Sequence, residues 1–595
     1  MMTDFLPTKA EPHRVVPVEP VARCQFGPHL LCAVRSPRDS GTTAQRRAVL
    51  TGAPRPGTGI QWTILASTSR TDCGTERRSL GTKKPHPLLW VCLSERAGRA
   101  KSHDGPDFGG NRWNDPHRAT AAATRPQREI RQLTQTLLPK PIGRQKEVLY
   151  LPARGHAVVL GTAGSGKTTL AILRSLYLSD PSTSHGGRTL LVTFNRCLVT
   201  YMSHLAGGIQ KPIDVRNYHH FARGYLTSRN KLPWNSICRP ADRLSFIEAA
   251  LDAAGAAGTR NTILDRPHEF FDEEFEWIQG HGIGNLQDYV EVKRTGRSSG
   301  LQRAHRPVLF DVYERYLRLR EQGGKLYDWG DLASAVLAEL REDRRDRLYR
   351  HVVIDEGQDF SPEMLRSLAA AIPANGSLTF LGDIAQQIYG HRTSWRSAGL
   401  RPRRVWEFKD NYRNTRQIAR LALSLAEMPH FPDDPDLVEP RAPTADGPLP
   451  ALVRRLSEAQ ERELVVSEGK NRAQTGTVAI LLRTRSQESK LKQHLPEGAT
   501  RLHRDLSVWP HGPGLFYGTY HASKGLEFDT VLLPFLSDRN WPHRRDINVL
   551  GQAEAEIRDS RLLYVGITRA RTDLILTYSG KPTALLPPNL NLYQS

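Results

Sequence analysis

The sequence predicts an α/β protein built on parallel sheets covered by helices, and three observations point there. Short β-branched and apolar runs recur beyond residue 125: "HAVVLG" (156–161), "TLLVTF" (189–194), "HVVIDE" (351–356), "SLTFLG" (377–382), "TVAILL" (477–482), "DTVLLPF" (529–535) and "LILTYS" (574–579). Helix-like stretches such as "SPEMLRSLAAAI" and "NTRQIARLALSLAE" separate them, the alternation that parallel sheets require. The glycine-rich segment "GTAGSGKTT" lies between "HAVVL" and the helical "LAILRSLYL", which is the strand–loop–helix order of a phosphate-binding loop.

Along the chain the texture changes in order. Residues 1–125 show no sustained periodicity, and Pro, Gly, Arg, Ser and Thr are scattered through them. They read as a disordered extension, or as sequence upstream of the true start. A first α/β domain is expected over 126–222 and 326–400. It is interrupted at 223–325 by a helical insertion with acidic-aromatic stretches such as "EFFDEEFEWI". A second α/β domain is expected over 401–595, with a loop or linker at 429–450.

At 595 residues there is length for two to four domains with cores of their own. No apolar stretch reaches the roughly 18 residues of a membrane span, and the start lacks the apolar core of a signal peptide. A cytoplasmic protein is expected. The formal charge of +21 suits a polyanionic partner or a well-solvated surface. The first 140 residues hold 22 Lys and Arg against 11 Asp and Glu, so about half of the excess lies there. Of the six cysteines, none forms a C-x-x-C pair or a zinc-ligand spacing, and free thiols are expected.

The chemistry concentrates in two segments. In Gly161, Thr162, Ala163, Gly164, Ser165, Gly166, Lys167, Thr168 and Thr169, glycines allow backbone N–H groups to wrap phosphates at a helix N-terminus. Lys167 can neutralise the β- and γ-phosphates of a nucleoside triphosphate, and the Thr168 hydroxyl can bind Mg²⁺. "VVIDEGQD" ends an apolar run in Asp355 and Glu356. Asp355 can hold Mg²⁺, and Glu356 can orient and deprotonate the attacking water. A plain ATPase has no evident use for Gln358 and Asp359 behind them.

The pattern D-E-x-Q-D resembles the second motif of superfamily 1 helicases of the UvrD/Rep type, and further segments follow in that family's order. The resemblance implies two RecA-like P-loop NTPase domains around an ATP cleft. "GRQKEVLYL" places Gln145 22 residues before Lys167, as an adenine reader whose amide suits N6 and N7 together. "VTFNRCLVTYM" is similar to a strand-binding segment, with Thr193 and Asn195 as candidate ligands; "NYHHFARGYL" adds His219 or His220, and Phe221. "YDWGDLASAVL" (327–337) resembles the family's D-x-x-D-L segment, where the chain re-enters the first core domain. In "LGDIAQQIYGHR", Gln386 matches a γ-phosphate sensor, and Tyr389, His391 and Arg392 occupy strand-proximal positions. His391 stands where better-known members carry a stacking Trp, which Trp395 could replace. "DNYRNT" supplies Tyr412 to stack on adenine and Arg413 to reach the γ-phosphate. "GTYHASKGLEFD" assigns His521 and Lys524 to the strand and Glu527 to the ribose, and "RLLYVGITRARTDL" gives Arg569 as a second arginine at the γ-phosphate. Gln358 is implied to face the cleft between domains, whereas Asp359 receives no role beyond local hydrogen bonding.

Only about 107 residues separate Arg413 from His521, so the family's fourth domain is expected to be absent or vestigial. The implied function is an ATP-dependent translocase or helicase on single-stranded DNA, RNA not excluded, with 3′-to-5′ polarity. The alternative is a nucleic-acid-sensing ATPase subunit whose protein partner supplies a nuclease or regulatory activity, as in phage defence or an RNA-polymerase-associated complex.

Overall fold

The computed structural model describes residues 138–594 except 206–212, 295–296, 298–299, 388–394, 430, 432–437, 439–440 and 442. The expected extension 1–125 and part of the 429–450 linker lie outside the described residues.

Two six-stranded sheets carry the fold, and every strand pair in both is parallel. The first sheet comprises β1 (Gly155–Gly161), β2 (Thr189–Thr193), β3 (Ile213–Asn217), β4 (His351–Ile354), β5 (Ser377–Gly382) and β6 (Pro402–Phe408), in the order β3-β2-β4-β5-β1-β6. The second comprises β7 (Ala451–Arg455), β8 (Thr477–Leu482), β9 (Thr500–Arg501), β10 (Gly514–Thr519), β11 (Phe528–Leu533) and β12 (Ala570–Ser579), in the order β7-β12-β11-β8-β10-β9. Helices cover the sheets, as the α/β reading expects, and the two sheets form the two RecA-like domains.

The inner strands read as continuous apolar runs because helices bury both of their faces; β2, β4 and β5 are buried at every position. The strands that the apolar runs did not announce are mostly at the edges. β3 ("IDVRN"), β6 ("PRRVWEF") and β7 ("ALVRR") leave their charged side chains only partly covered. β10 is an inner strand, but glycine and polar residues at its ends mask it. β6 also corrects a boundary: residues 402–408, read as part of the second domain, pair with β1 in the first sheet.

The insertion is helical, with Pro240–Ala256, His268–His281, Leu286–Glu291 and Arg306–Gln322 as its main members. Phe270, Phe271, Phe275, Trp277, Tyr289 and Tyr316 pack a core of their own. Within "EFFDEEFEWI", Glu274 is fully buried, and Arg294 (2.5 Å), Arg297 (3.3 Å) and the Tyr289 hydroxyl (2.8 Å) hold its carboxylate. Burial would raise its pKa, but the two arginines outweigh it and hold the carboxyl below the usual range.

Between Arg413 and His521 the described residues form the helices Arg416–Ala426, Glu458–Arg472 and Arg485–Lys492 with β7, β8, β9 and β10. These strands all belong to the second sheet, so among the described residues nothing remains to form a fourth domain. No helix among them is long and apolar enough to cross a membrane. Cys197 and Cys238 are free and buried; the other four cysteines lie outside the described residues.

Candidate nucleotide cleft and strand-facing cavity

Chemistry-bearing residues gather at the carboxyl ends of the parallel strands, where open α/β sheets bind ligands. After β1 the chain turns through Gly164 in the left-handed region, at φ +76°. A Cβ there would come within 2.0 Å of Asn411 Oδ1, and Tyr412 N donates to Gly164 O at 2.9 Å. The "DNYRNT" segment therefore closes directly on the phosphate loop, which only glycine allows. Lys167 opens the helix Lys167–Leu178 and donates to Gly161 O (2.9 Å) and Thr162 O (2.7 Å), with Asp383 at 3.5 Å. Gln145 donates to Ser165 O at 2.9 Å, which fixes it beside the loop.

Opposite the loop, Thr168 Oγ1 donates to Asp355 Oδ2 at 2.8 Å. Asp355 Oδ1 is buried and has no hydrogen-bond partner, an arrangement that a divalent cation beside Thr168 would satisfy. Burial, and then the neighbouring Glu356 charge, push the Asp355 carboxyl up to about 7. Glu356 holds a positive φ of 53°, a strained backbone of the kind that clusters at functional sites. Gln358 Nε2 donates to Glu356 Oε2 at 2.5 Å, and Gln358 Oε1 accepts from Asp383 N at 2.8 Å. Gln386 Nε2 reaches Asp383 Oδ2 (2.9 Å), and Arg569 Nη2 reaches Gln386 Oε1 (2.6 Å). Arg569 is fully buried, which lowers its pKa to about 10, and nearby Arg413 adds to the shift. Arg413, for its part, pairs with Glu527, while Tyr412 stays half exposed at the rim.

The last residue of the pentad has a long-range partner. Asp359 forms an ion pair with Lys524 at 2.5 Å, and each side chain is 1% exposed. Lys524 Nζ also donates to the Gln386 carbonyl. Asn195 reinforces the junction by donating to Ala522 O (3.1 Å) and Lys524 O (2.8 Å). Gly525 lies at φ +78°, where a Cβ would meet Leu198 at 2.5 Å. Lys524 and Asn195, both expected at the strand, are thus spent between the two domains in this structure. Packing places them there, a choice their local sequence does not encode.

Beside this junction lies a cavity of about 250 Å³, lined by Phe194, His219, Trp329, Asp359 and His521 among others. His219 sits between aromatic edges, 5.8 Å from Phe194 and 5.2 Å from Trp329. Other strand candidates are placed differently. Thr193 is buried at the end of β2, and Phe221 packs in the first domain's core. His220 is exposed, near Arg216, Arg223 and Arg196. Tyr389, His391 and Arg392 lie outside the described residues. Trp395 is buried in the first domain's core, so in this structure it does not offer a stacking surface. Sequence reasoning missed Phe194 and Trp329. Each sat inside a quoted motif, "VTFNR" and "YDWGDL", and an aromatic beside polar motif residues was the available signal.

Four imidazoles, His351 buried and three partly buried, carry a pH dependence. Burial, first among the causes, lowers His219, His281 and His351 to about 4 and His521 to about 3. The unfolded chain then binds more protons than the folded one below about pH 6.5. Their contribution is complete above that pH and is lost as pH falls towards 4. The thermal unfolding midpoint should therefore start to drop near pH 6.5, before ordinary carboxylates titrate. A midpoint flat from pH 7 to 5 would contradict this.

Comparison with known proteins completes the description. A family model described as the UvrD/REP helicase N-terminal domain matches residues 143–401, and one described as the UvrD-like helicase C-terminal domain matches residues 516–581. Over 559 residues the chain is 24% identical to the ATP-dependent DNA helicase UvrD2 of Mycobacterium tuberculosis, covering 73% of this chain and 78% of that protein. It is 30% identical over 99 residues to DNA helicase II of Rickettsia typhi (17% of this chain, 15% of that protein). Over 73 residues it is 44% identical to the ATP-dependent DNA helicase PcrA of Bacillus subtilis (12% and 10%).

Proposed function

Because the chain belongs to the UvrD/Rep-type superfamily 1 helicases, ATP-hydrolysing enzymes, we propose that it translocates 3′ to 5′ along single-stranded DNA. ATP's adenine lies between Gln145 and Tyr412, its ribose at Glu527, and its phosphates on Gly161 to Thr169. Thr168 and Asp355 would hold Mg²⁺, which when bound neutralises phosphate charge. Glu356 accepts the proton of the attacking water, with Gln358 fixing its carboxylate. Gln386, Arg413 and Arg569 stabilise the charge that develops on the γ-phosphate. Arg413 must exchange Glu527 for phosphate to do so, which ties its arrival to ATP.

One observation carries this reading: the direct contacts that run from the phosphate loop to the opposite domain. Thr168 meets Asp355, Glu356 meets Gln358, and Asp359, next in sequence, meets Lys524. A change at the γ-phosphate can therefore shift the loop that carries His521 to the aromatic cavity. Phe194, His219, Trp329 and His521 supply faces for bases, each worth about 1–3 kcal/mol by stacking.

The test uses the full chain. ATPase activity should rise several-fold with single-stranded DNA, and duplexes with 3′ tails should be separated in preference to those with 5′ tails. An ATPase rate indifferent to single-stranded DNA would sink the proposal; an RNA arm decides the nucleic-acid class. The second reading, a nucleic-acid-sensing ATPase subunit of a larger cytoplasmic assembly, draws support from the described residues between Arg413 and His521, whose strands all join the second sheet. It predicts strand-stimulated ATPase without strand separation, and recovery of tagged protein with a partner.

A further inference from the structure

The helix His268–His281 spans from one motor domain to the other. Its C-terminal half is fastened to the first domain: Gln279 donates to the buried Asp328 (2.8 Å), and Arg366 donates to His281 O (3.1 Å). Its N-terminal half meets the helices Arg544–Leu550 and Gln552–Ile567 of the second domain. There Arg558 holds Glu273 through both guanidinium nitrogens, Nη1 to Oε1 at 2.9 Å and Nη2 to Oε2 at 3.0 Å, and Arg297 of the insertion shares Glu273 Oε2 at 2.7 Å. Arg545 reaches Glu269 (3.2 Å), Arg266 donates to Val549 O (2.9 Å), and Val549 and Leu550 enter the insertion's core.

These two attachments differ in strength. The first-domain end rests on a buried network and on the chain itself. At the other end, Arg545 and Glu269 are 64% and 30% exposed, and Arg558 and Glu273 are 21% and 26% exposed. The Arg545–Glu269 pair contributes little, and the half-buried Arg558–Glu273 pair opens on the cavity at one side, so when the motor domains move apart the second-domain end yields first. Glu273 and Arg558 also line the aromatic cavity described above. A bidentate carboxylate presents a guanidinium with the same two acceptor oxygens as a phosphodiester.

We propose that Glu273 is a built-in stand-in for a strand phosphate, holding Arg558 and the insertion against the second domain until single-stranded nucleic acid takes Arg558 over. The idea rests on the strand-binding reading of that cavity. Without strand, the latch is closed and walls the cavity. With strand, Arg558 becomes a phosphate ligand and the insertion is freed from the second domain. In a chain whose described residues hold no fourth domain, this contact supplies a gate between the insertion and the motor.

The experiment measures binding of a labelled oligothymidylate to the full chain across a salt series. Glu273→Gln should tighten binding by about two- to tenfold, as the carboxylate no longer competes for Arg558. Arg558→Gln should weaken it, with a log–log salt slope shallower by about 0.7 for one lost phosphate contact on a single strand. The two changes share loss of the latch, so mere loosening would move both variants the same way and overturn the proposal. In the Arg558→Gln background, Glu273→Gln should lose most of its gain; an undiminished gain there means charge repulsion or release of Arg297 alone and also overturns it. If Glu273→Gln fails to fold, the slope of Arg558→Gln decides, and an unchanged slope is fatal. A wild-type chain that does not bind the oligonucleotide overturns the functional reading along with the latch. A wild type that binds while Glu273→Gln keeps its affinity overturns the latch alone.

Discussion

Replacing Glu356 by glutamine is expected to lower ATP turnover by about 10²–10⁴-fold, the range a general base supplies, while nucleotide affinity stays within a few-fold of wild type. The structure explains why the lesion should be so confined. Among the described residues Glu356 makes no hydrogen bond to the phosphate loop, and its 2.5 Å partner is Gln358 Nε2. A glutamine carbonyl can still accept that hydrogen bond, so the left-handed backbone at Glu356 and the Gln358–Asp383 contact are kept. What is removed is the carboxylate that takes a proton. Lys167→Ala should behave differently. The ammonium that bridges Gly161 O, Thr162 O and Asp383 disappears, and binding is lost with turnover. Steady-state ATPase and binding of a fluorescent nucleotide separate the two cases. Near-normal turnover in Glu356→Gln would remove this residue from the proton-transfer role.

The second large effect is on stability. Asp359→Asn leaves the Lys524 ammonium buried at 1% exposure without its carboxylate. Breaking a buried pair from one side costs about 3–5 kcal/mol, because the remaining charge is uncompensated. Removing both charges, in Asp359→Asn with Lys524→Met, should recover most of that loss, since a buried pair contributes little over a neutral replacement of similar size. Denaturant unfolding of the single and double variants measures this directly. The double variant should still lack strand-stimulated turnover, because the link between the "DEGQD" segment and the "HASKG" loop is gone. Should the single variant be as stable as wild type, the pair is not formed in solution; should the double variant respond normally to strand, it does not transmit.

This pair also shows where the sequence stopped being readable. Asp355 and Glu356 were legible because their neighbours define them: an apolar strand, then two carboxylates, with a phosphate loop elsewhere in the chain. Asp359 had no such local explanation, since its partner is 165 residues away. The same holds for Arg558 and Glu273, 285 residues apart, and for the Arg413–Glu527 pair, two residues whose implied roles were separate. Each is an ordinary charged residue in its own segment. Only the tertiary approach of distant segments gives it a counter-charge.

The strands divide in the same way. β2, β4, β5 and β8 announced themselves because burial on both faces demands unbroken apolar runs. β3, β6 and β7 did not, because an edge strand tolerates "DVR", "PRR" and "VRR" on its open side. Sequence alone determined the α/β class, the helical insertion and the order of the chemistry-bearing segments, since backbone periodicity and strand–loop–helix geometry are short-range constraints. Tertiary structure decided that 402–408 joins the first sheet, that Lys524 and Asn195 bind the domains together, and that Phe194, Trp329 and His521 share a cavity. Those outcomes depend on packing between distant surfaces, where desolvation makes a buried charge or amide costly unless a partner from elsewhere in the chain meets it.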